Sequence, residues 1–362
     1  MSDEAVSAGT AAPPAGKASP NPKIGLFAAI SLFAGGGAAL AAGYGEASLA
    51  AGLTAVFVVG AAVVVPGPVS YRAGLASGLV AMAGLMLANL TTGVPVAAGL
   101  AMAAVSILTG VSRAGGRAIG AIGMLLGAAY FLPAAINLTV GLDAGRTAEL
   151  GLIGLGSGVV IVFVFAWIER LRGLRSTRQE EAESLKEARS SKDGPNPLAL
   201  MWKSLLSGGP EARYGIRRGV ILGIAMAAYQ VGDNHNIFWV MLTMFAVLQP
   251  DASLTWTRAI KRSAGTIIGA LLIGALGQFL PPKVVVGLGV AALIVGLSWY
   301  KSNYAIYVAG TTILTVSIFG AIDGGFATWA GLRVIDTIIG ATIAIAAGYL
   351  ILPDKRQPEP TG

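Results

Sequence analysis

The sequence predicts an all-α polytopic membrane protein of about twelve transmembrane helices, arranged as two parallel six-helix repeats. Three observations carry that expectation. Twelve apolar stretches fall into two sets of six on either side of the one long charged segment. Hydrophobic residues are 55% of the 362 and charged residues 12%, about half the charge of a soluble domain, and mean hydropathy is +0.73. Finally, 51 glycines recur at four-residue spacing within the apolar runs, which lets helix backbones approach closely.

The runs of the first set cover 24–43, 49–65, 73–91, 94–112, 117–138 and 149–168. Those of the second cover 217–232, 237–250, 263–280, 284–300, 303–322 and 331–352. Most approach the roughly 20 residues that cross about 30 Å of hydrocarbon. The shortest, 237–250, reads as a tilted or partly unwound span. Gly74/Gly78, Gly116/Gly120, Gly123/Gly127, Gly154/Gly158, Gly219/Gly223 and Gly265/Gly269 mark close-packing faces. Gly154-Leu-Gly-Ser-Gly158 is not a phosphate loop, because it lies inside an apolar run with no strand before it.

Around these runs the chain divides into a disordered tail (1–22) rich in Ala, Pro, Gly and Ser, a first repeat (23–171), a linker (172–210), a second repeat (211–353) and a terminal tail (354–362). The first tail lacks the compact pattern of a signal peptide, so the first span is expected to direct insertion. In the linker, Arg175 to Lys192 reads as a solvated helix of mixed charge, Asp193 to Pro197 breaks it, and Leu198 to Leu206 reads as an interfacial helix. This segment joins two halves and is too short for a catalytic domain.

Placing both termini in the cytoplasm leaves only Arg146, Lys283 and Arg333, of 25 Lys and Arg, on or near the outer side, as the positive-inside rule requires. That arrangement accounts for the net charge of +7 through anionic lipid contact, without nucleic acid. Cysteine is absent, which removes disulfide and thiol chemistry, and a single histidine makes a metal site improbable. No nucleophile stands with a base, so an enzyme is not expected, and no cofactor is implied.

The two sets overlay. Ala148 to Gly158 falls on Ala330 to Gly340, and Pro66-Gly-Pro with Arg72 falls near Pro250-Asp-Ala with Arg258. An even number of spans per half predicts a pseudo-twofold axis along the membrane normal, with function at the interface between halves. The second half keeps polar residues that the first has largely lost.

Those polar residues come in a recognisable order: Arg213-Tyr-Gly-Ile-Arg217; His235 to Thr243; Gln249-Pro250; Arg258; Arg262-Ser-Ala-Gly265-Thr-Ile-Ile-Gly269; and Arg333-Val-Ile-Asp336-Thr-Ile-Ile-Gly340. Over about residues 198–352 this resembles the fusaric acid resistance protein-like family, which includes the aromatic acid exporters. The resemblance implies a bacterial inner-membrane transporter that exports aromatic or other weak organic acids on the proton gradient. Two departures stand out: Tyr214 replaces a frequent histidine, and the large cytoplasmic domain of many members is reduced to the linker.

The residues carry roles on their own chemistry as well. Arg333 and Asp336 share a helix face and can pair inside the last span, where a charge costs about 2.5 to 3.5 kcal/mol at the helix centre. Burial and a neighbouring arginine act on Asp336 in opposite senses, which makes it a proton-coupling candidate, and His235 is a second. Arg262 is placed to draw an anion inward, and Trp239, Thr243, Gln249, Asn303, Tyr304 and Arg333 complete the substrate-binding candidates. Trp256, Trp299 and Trp329 read as interface anchors, with Trp239 the exception. Expected partners are a small organic anion, anionic lipids, and a second copy or a periplasmic adaptor protein. An organic anion channel and a non-transporting membrane scaffold are the competing readings; only coupled export requires a titrating carboxylate.

Overall fold

The computed structural model describes residues 19–64, 70–135, 141–171, 196–232 and 236–352. His235 and the mixed-charge stretch from Arg175 to Lys192 therefore lie outside the described residues. Within the described residues the only regular structure is helical: α1 (Pro22–Ala41), α2 (Ser48–Val64), α3 (Ser70–Thr91), α4 (Pro95–Val111), α5 (Arg117–Ala135) and α6 (Ala144–Leu171) in the first half. A short α7 (Pro197–Leu206) follows. Then come α8 (Pro210–Val231), α9 (Asn236–Val247), α10 (Ala252–Leu276), α11 (Pro282–Ser298), α12 (Tyr304–Asp323) and α13 (Phe326–Leu350). Eight are long and apolar enough to cross a membrane; α5, α9 and α11 hold shorter apolar stretches.

Local sequence explains where the helices begin. Proline opens α1, α4, α7, α8 and α11 at its first turn, where the ring removes an amide that has no intrahelical partner. Asn21, Asn196, Asp251 and Asn303 cap α1, α7, α10 and α12 by accepting from first-turn amides. Several starts lie well before the apolar runs, among them α10 at Ala252 rather than 263 and α13 at Phe326 rather than 331. Polar residues in those first turns hide the helix from a hydropathy reading. They also set Arg262 and Asp336 deeper than expected, each the eleventh residue of a 25-residue helix.

Contacts between loops sort the helix ends to two opposite ends of the bundle. At one end the Asn21 amide donates to the Ser298 carbonyl at 2.8 Å, and Arg217 reaches the carbonyls of Pro250, Ile351 and Leu352. At the other, Asn89 donates to the Leu142 carbonyl at 2.9 Å, and Gln230 joins Gly93 to Ala134. Successive long helices run up and down between them. Lys23, Arg113, Arg258 and Lys301 sit at the first end, and Glu46, Asp143, Asp323 and Arg146 at the second.

Small residues make the tightest helix pairs. The most extensive, α4 with α8, puts Gly215, Gly219 and Gly223 against Ile107, Ala103 and Gly99; a Cβ on any of the three would come within 2.9 Å of a facing carbonyl oxygen. Gly74, Gly78, Gly154, Gly158, Gly265 and Gly269 also face neighbouring helices. Gly116 does not. It holds φ +100° in the turn before α5, and a Cβ there would meet nothing within 4 Å, so the Gly116/Gly120 spacing reflects a turn, not a packing face. The largest buried cluster crosses the halves, joining Met102, Val105, Tyr130 and Phe131 to Leu222, Met226, Phe238, Trp239 and Met241.

Helix α9 has only twelve residues, about 18 Å of rise. The expected break is real: residues 248–251 are not helical, yet Leu248 is fully buried and Gln249 nearly so. Non-helical backbone survives at depth only where protein groups satisfy it. Here Tyr214 donates to the Leu248 carbonyl at 3.4 Å, Arg217 to the Pro250 carbonyl at 3.3 Å, and the Gln249 amide to Thr255 at 3.0 Å.

Candidate functional site

A column of buried polar side chains runs through the second half between α9, α10, α12 and α13. Nearest the second end, the Arg333 guanidinium lies 4.0 Å from the centroid of the Trp239 ring. One turn further along α13 come Asp336 and Thr337, and Thr337 donates to Thr266 of α10 at 3.4 Å. One turn further again, Arg262 donates through Nε to Thr243 at 3.2 Å and through Nη1 to Tyr304 at 3.4 Å. Arg258 closes the column at the first end, 5.2 Å over the Tyr304 ring. Each helical step of four residues advances about 6 Å, so the column covers a large part of the bundle's depth.

Arg333, Asp336, Thr337, Thr266, Thr243 and Arg262 are all buried. Glycine makes room for them: Gly340 of α13 sits against the Val240 carbonyl and Thr243, and Gly269 of α10 against Ala309. The helices touch at these points, and the larger side chains fill the spaces one turn away. Trp239 is wedged among Phe238 (4.4 Å), Phe319 (5.6 Å) and Arg333, and is 4% exposed. It is an interior group, unlike Trp256, which is 51% exposed.

The expected Arg333–Asp336 pair does not close. Arg333 Nε and Nη1 and Asp336 Oδ2 are sealed from solvent and have no hydrogen-bond partner, because the guanidinium is drawn to the face of Trp239. A buried charge with idle donors is costly. Of the remaining candidates, two are engaged in the fold. Gln249 folds its amide onto the Leu248 carbonyl at 2.8 Å, and Asn303 is the exposed cap of α12, accepting from Ala305 and Ile306. Tyr304 joins the column through its bond from Arg262. His235 lies outside the described residues.

One arginine escaped the sequence reading, and its neighbour entered it only as the end of the Arg213 to Arg217 motif. Arg217 and Arg218 are 0% and 1% exposed, although a pair of arginines at the head of an apolar run reads as positive-inside anchoring. The available signal was the Gly215/Gly219/Gly223 spacing, which turns this stretch of α8 into a packed helix and buries whatever flanks the glycines. Arg262 lies inside a helix, as its eleventh residue. Among the described residues no group of acidic or histidine side chains could hold a metal ion.

Residues 224–347, which include the whole column, match the fusaric acid resistance protein-like family. The chain is 30% identical over 192 residues to the inner membrane protein YccS of Escherichia coli, covering 50% of this chain and 26% of that protein. It is 33% identical over 171 residues to the uncharacterized membrane protein YvaC of Bacillus subtilis, covering 44% and 26%. The match spans about a quarter of the length of these relatives. No solved structure matches the chain. Residues 224–347 are thus similar to the fusaric acid resistance protein-like family, within a multi-pass membrane protein.

Proposed function

We propose that the protein exports small aromatic or other weak organic acids, driven by the proton gradient, along the column from Arg258 to Arg333. The observation that carries this reading is Arg333: a guanidinium buried among helices, stacked on Trp239, with two nitrogens unbonded and a carboxylate one turn away. An aromatic acid offers a carboxylate for those donors and a ring for the Trp239–Phe319 cluster. Asp336 supplies a proton-binding group beside the same arginine, so its ionised carboxylate and a substrate anion compete for one charge.

The twelve-span, two-repeat architecture belongs to this proposal, and the packing supports it. Helix pairs α2–α6, α3–α5 and α3–α6 of the first half recur as α9–α13, α10–α12 and α10–α13 in the second. The halves meet through α4–α8 and α1–α11, two contacts that a twofold axis would exchange. Gly158 packs against Val58 and Gly340 against Val240, pairs that coincide when Ala148–Gly158 is laid on Ala330–Gly340. Cytoplasmic termini follow from the basic residues at the first end. A periplasmic adaptor or a second copy would complete an export path.

Transport of radiolabelled benzoate by the purified protein in liposomes, under an imposed pH gradient, tests the reading. Flux that rises with the gradient and collapses with a protonophore is expected. Equal flux with and without the gradient would mean a channel, and no flux of any weak acid would mean a scaffold.

A further inference from the structure

We propose a second binding site for an organic carboxylate, centred on Arg218 between the two halves and on a different face of α9 from Arg333. Two stations of like construction then flank one short helix. The inference rests on the reading of Arg333 as an anion-binding group.

Arg218 lies at the junction of α5, α8 and α9. It is 1% exposed, and its guanidinium is 4.0 Å from the centroid of Phe245. Nη1 is occupied, donating to the Tyr214 hydroxyl at 2.8 Å and facing Met124 Sδ at 3.8 Å. Nε and Nη2 have no hydrogen-bond partner among the described residues. Those two nitrogens form one edge of the guanidinium, whose parallel N–H bonds match the two oxygens of a carboxylate. A whole recognition edge is thus idle inside an apolar cluster, and a charge buried without a counter-ion is strongly disfavoured.

The surroundings repeat the first column. There, Tyr304 stands between an outer arginine over its ring, Arg258 at 5.2 Å, and an inner one bonded to its hydroxyl, Arg262 at 3.4 Å. Here, Tyr214 stands between Arg113, 5.4 Å over its ring, and Arg218, 2.8 Å from its hydroxyl. Both arrangements lead inward from the same end of the bundle, and both end on aromatic side chains of α9: Trp239 with Phe319, and Phe245 stacked on Phe131 at 4.8 Å. Trp239 and Phe245 lie roughly 120° apart on α9 at 100° per residue, so the two rings stand on different faces of the helix within one aromatic cluster. The second station joins α5 of the first half to α8 and α9 of the second.

Access is through Met124. This side chain touches Arg218 and is itself 37% exposed, and an unbranched thioether changes rotamer readily. Moving it uncovers the guanidinium without unpacking the α4–α8 seam. A ligand with a carboxylate and a flat ring would take the Nε/Nη2 edge and lie along Phe245, as the first station would hold it on Trp239.

Equilibrium dialysis of radiolabelled benzoate against the full chain in nanodiscs tests the proposal. Two sites per chain are expected, falling to one in Arg218→Gln and to one in Arg333→Gln. Two sites in Arg218→Gln, or a single wild-type site lost only in Arg333→Gln, would overturn the second station and leave the first. Sites lost only in Arg218→Gln would overturn the reading of Arg333 instead. Because Arg218→Gln could unfold the bundle, the unaltered protein is also photolabelled with 4-azidobenzoate. Adducts are expected on peptides containing Met124 or Phe245 as well as Trp239, each competed by benzoate. Adducts confined to the Trp239 side, or labelling that benzoate does not compete, would overturn the proposal independently of any variant.

Discussion

Arg217 donates to the carbonyls of Ile351 and Leu352 at 2.9 Å and Pro250 at 3.3 Å from a position with no exposed surface. It ties the end of α13 and the break after α9 to α8. Arg217→Met should therefore lower stability by about 3 kcal/mol, since buried carbonyls lose charge-assisted bonds; thermal unfolding in detergent measures this, and an unchanged midpoint would show that water replaces the side chain. Arg333 and Asp336 predict a different signature. Asp336→Asn removes titration while keeping size, so uphill export of benzoate should fall with the melting temperature within a few degrees of wild type. Exchange down the substrate's own gradient should survive in part. Asp336→Asn that still exports uphill would leave only a structural role for the carboxylate, and Arg333→Gln/Asp336→Asn shows how far the two groups are coupled.

Among the elements, the α4–α8 seam and the start of α10 make opposite demands. A side chain on Gly219 would meet the Ala103 carbonyl, whereas one on Gly287 meets nothing within 4 Å. Gly219→Val should cost about 1 to 3 kcal/mol through overpacking, and Gly287→Ala should be neutral or slightly stabilising. Equal effects in unfolding experiments would remove the seam as the contact that holds the halves. At α10, Asp251 accepts from the Ser253 hydroxyl and amide and from the Leu254 amide. Those bonds hold its carboxyl below the usual carboxylate range. The cap's contribution is complete above the carboxyl's unfolded pKa and is lost as pH falls through the lowered folded value. Asp251→Ala should cost about 1 kcal/mol at neutral pH and nothing below that range; a cost independent of pH would contradict the capping role.

Over the whole molecule, charge and connectivity make one testable statement about topology. The chain has no cysteine, so introduced thiols report without background. Lys301→Cys, at the basic end, should resist a membrane-impermeant maleimide in intact cells, and Asp143→Cys, at the acidic end, should react. The reverse pattern would invert the orientation and the direction of transport.

Much of this arrangement was legible in the sequence because it depends on period and composition. Apolar runs long enough to cross a bilayer and the short span at 237–250 follow from solvation by hydrocarbon, which acts residue by residue. Helix starts were less legible, since the polar first turns of α10 and α13 carry no hydropathy signal. What only the tertiary structure decided is which charges are buried and what they face. Arg217, Arg218 and Lys301 all read as basic residues at helix ends, yet two of them are sealed by the approach of α4, α5 and α9 to α8. Likewise Arg333 turns to Trp239 instead of Asp336, a choice made by the ring that a neighbouring helix delivers, 94 residues away in the chain. Hydropathy is a property of a segment; pairing and desolvation are properties of the residues that packing brings together.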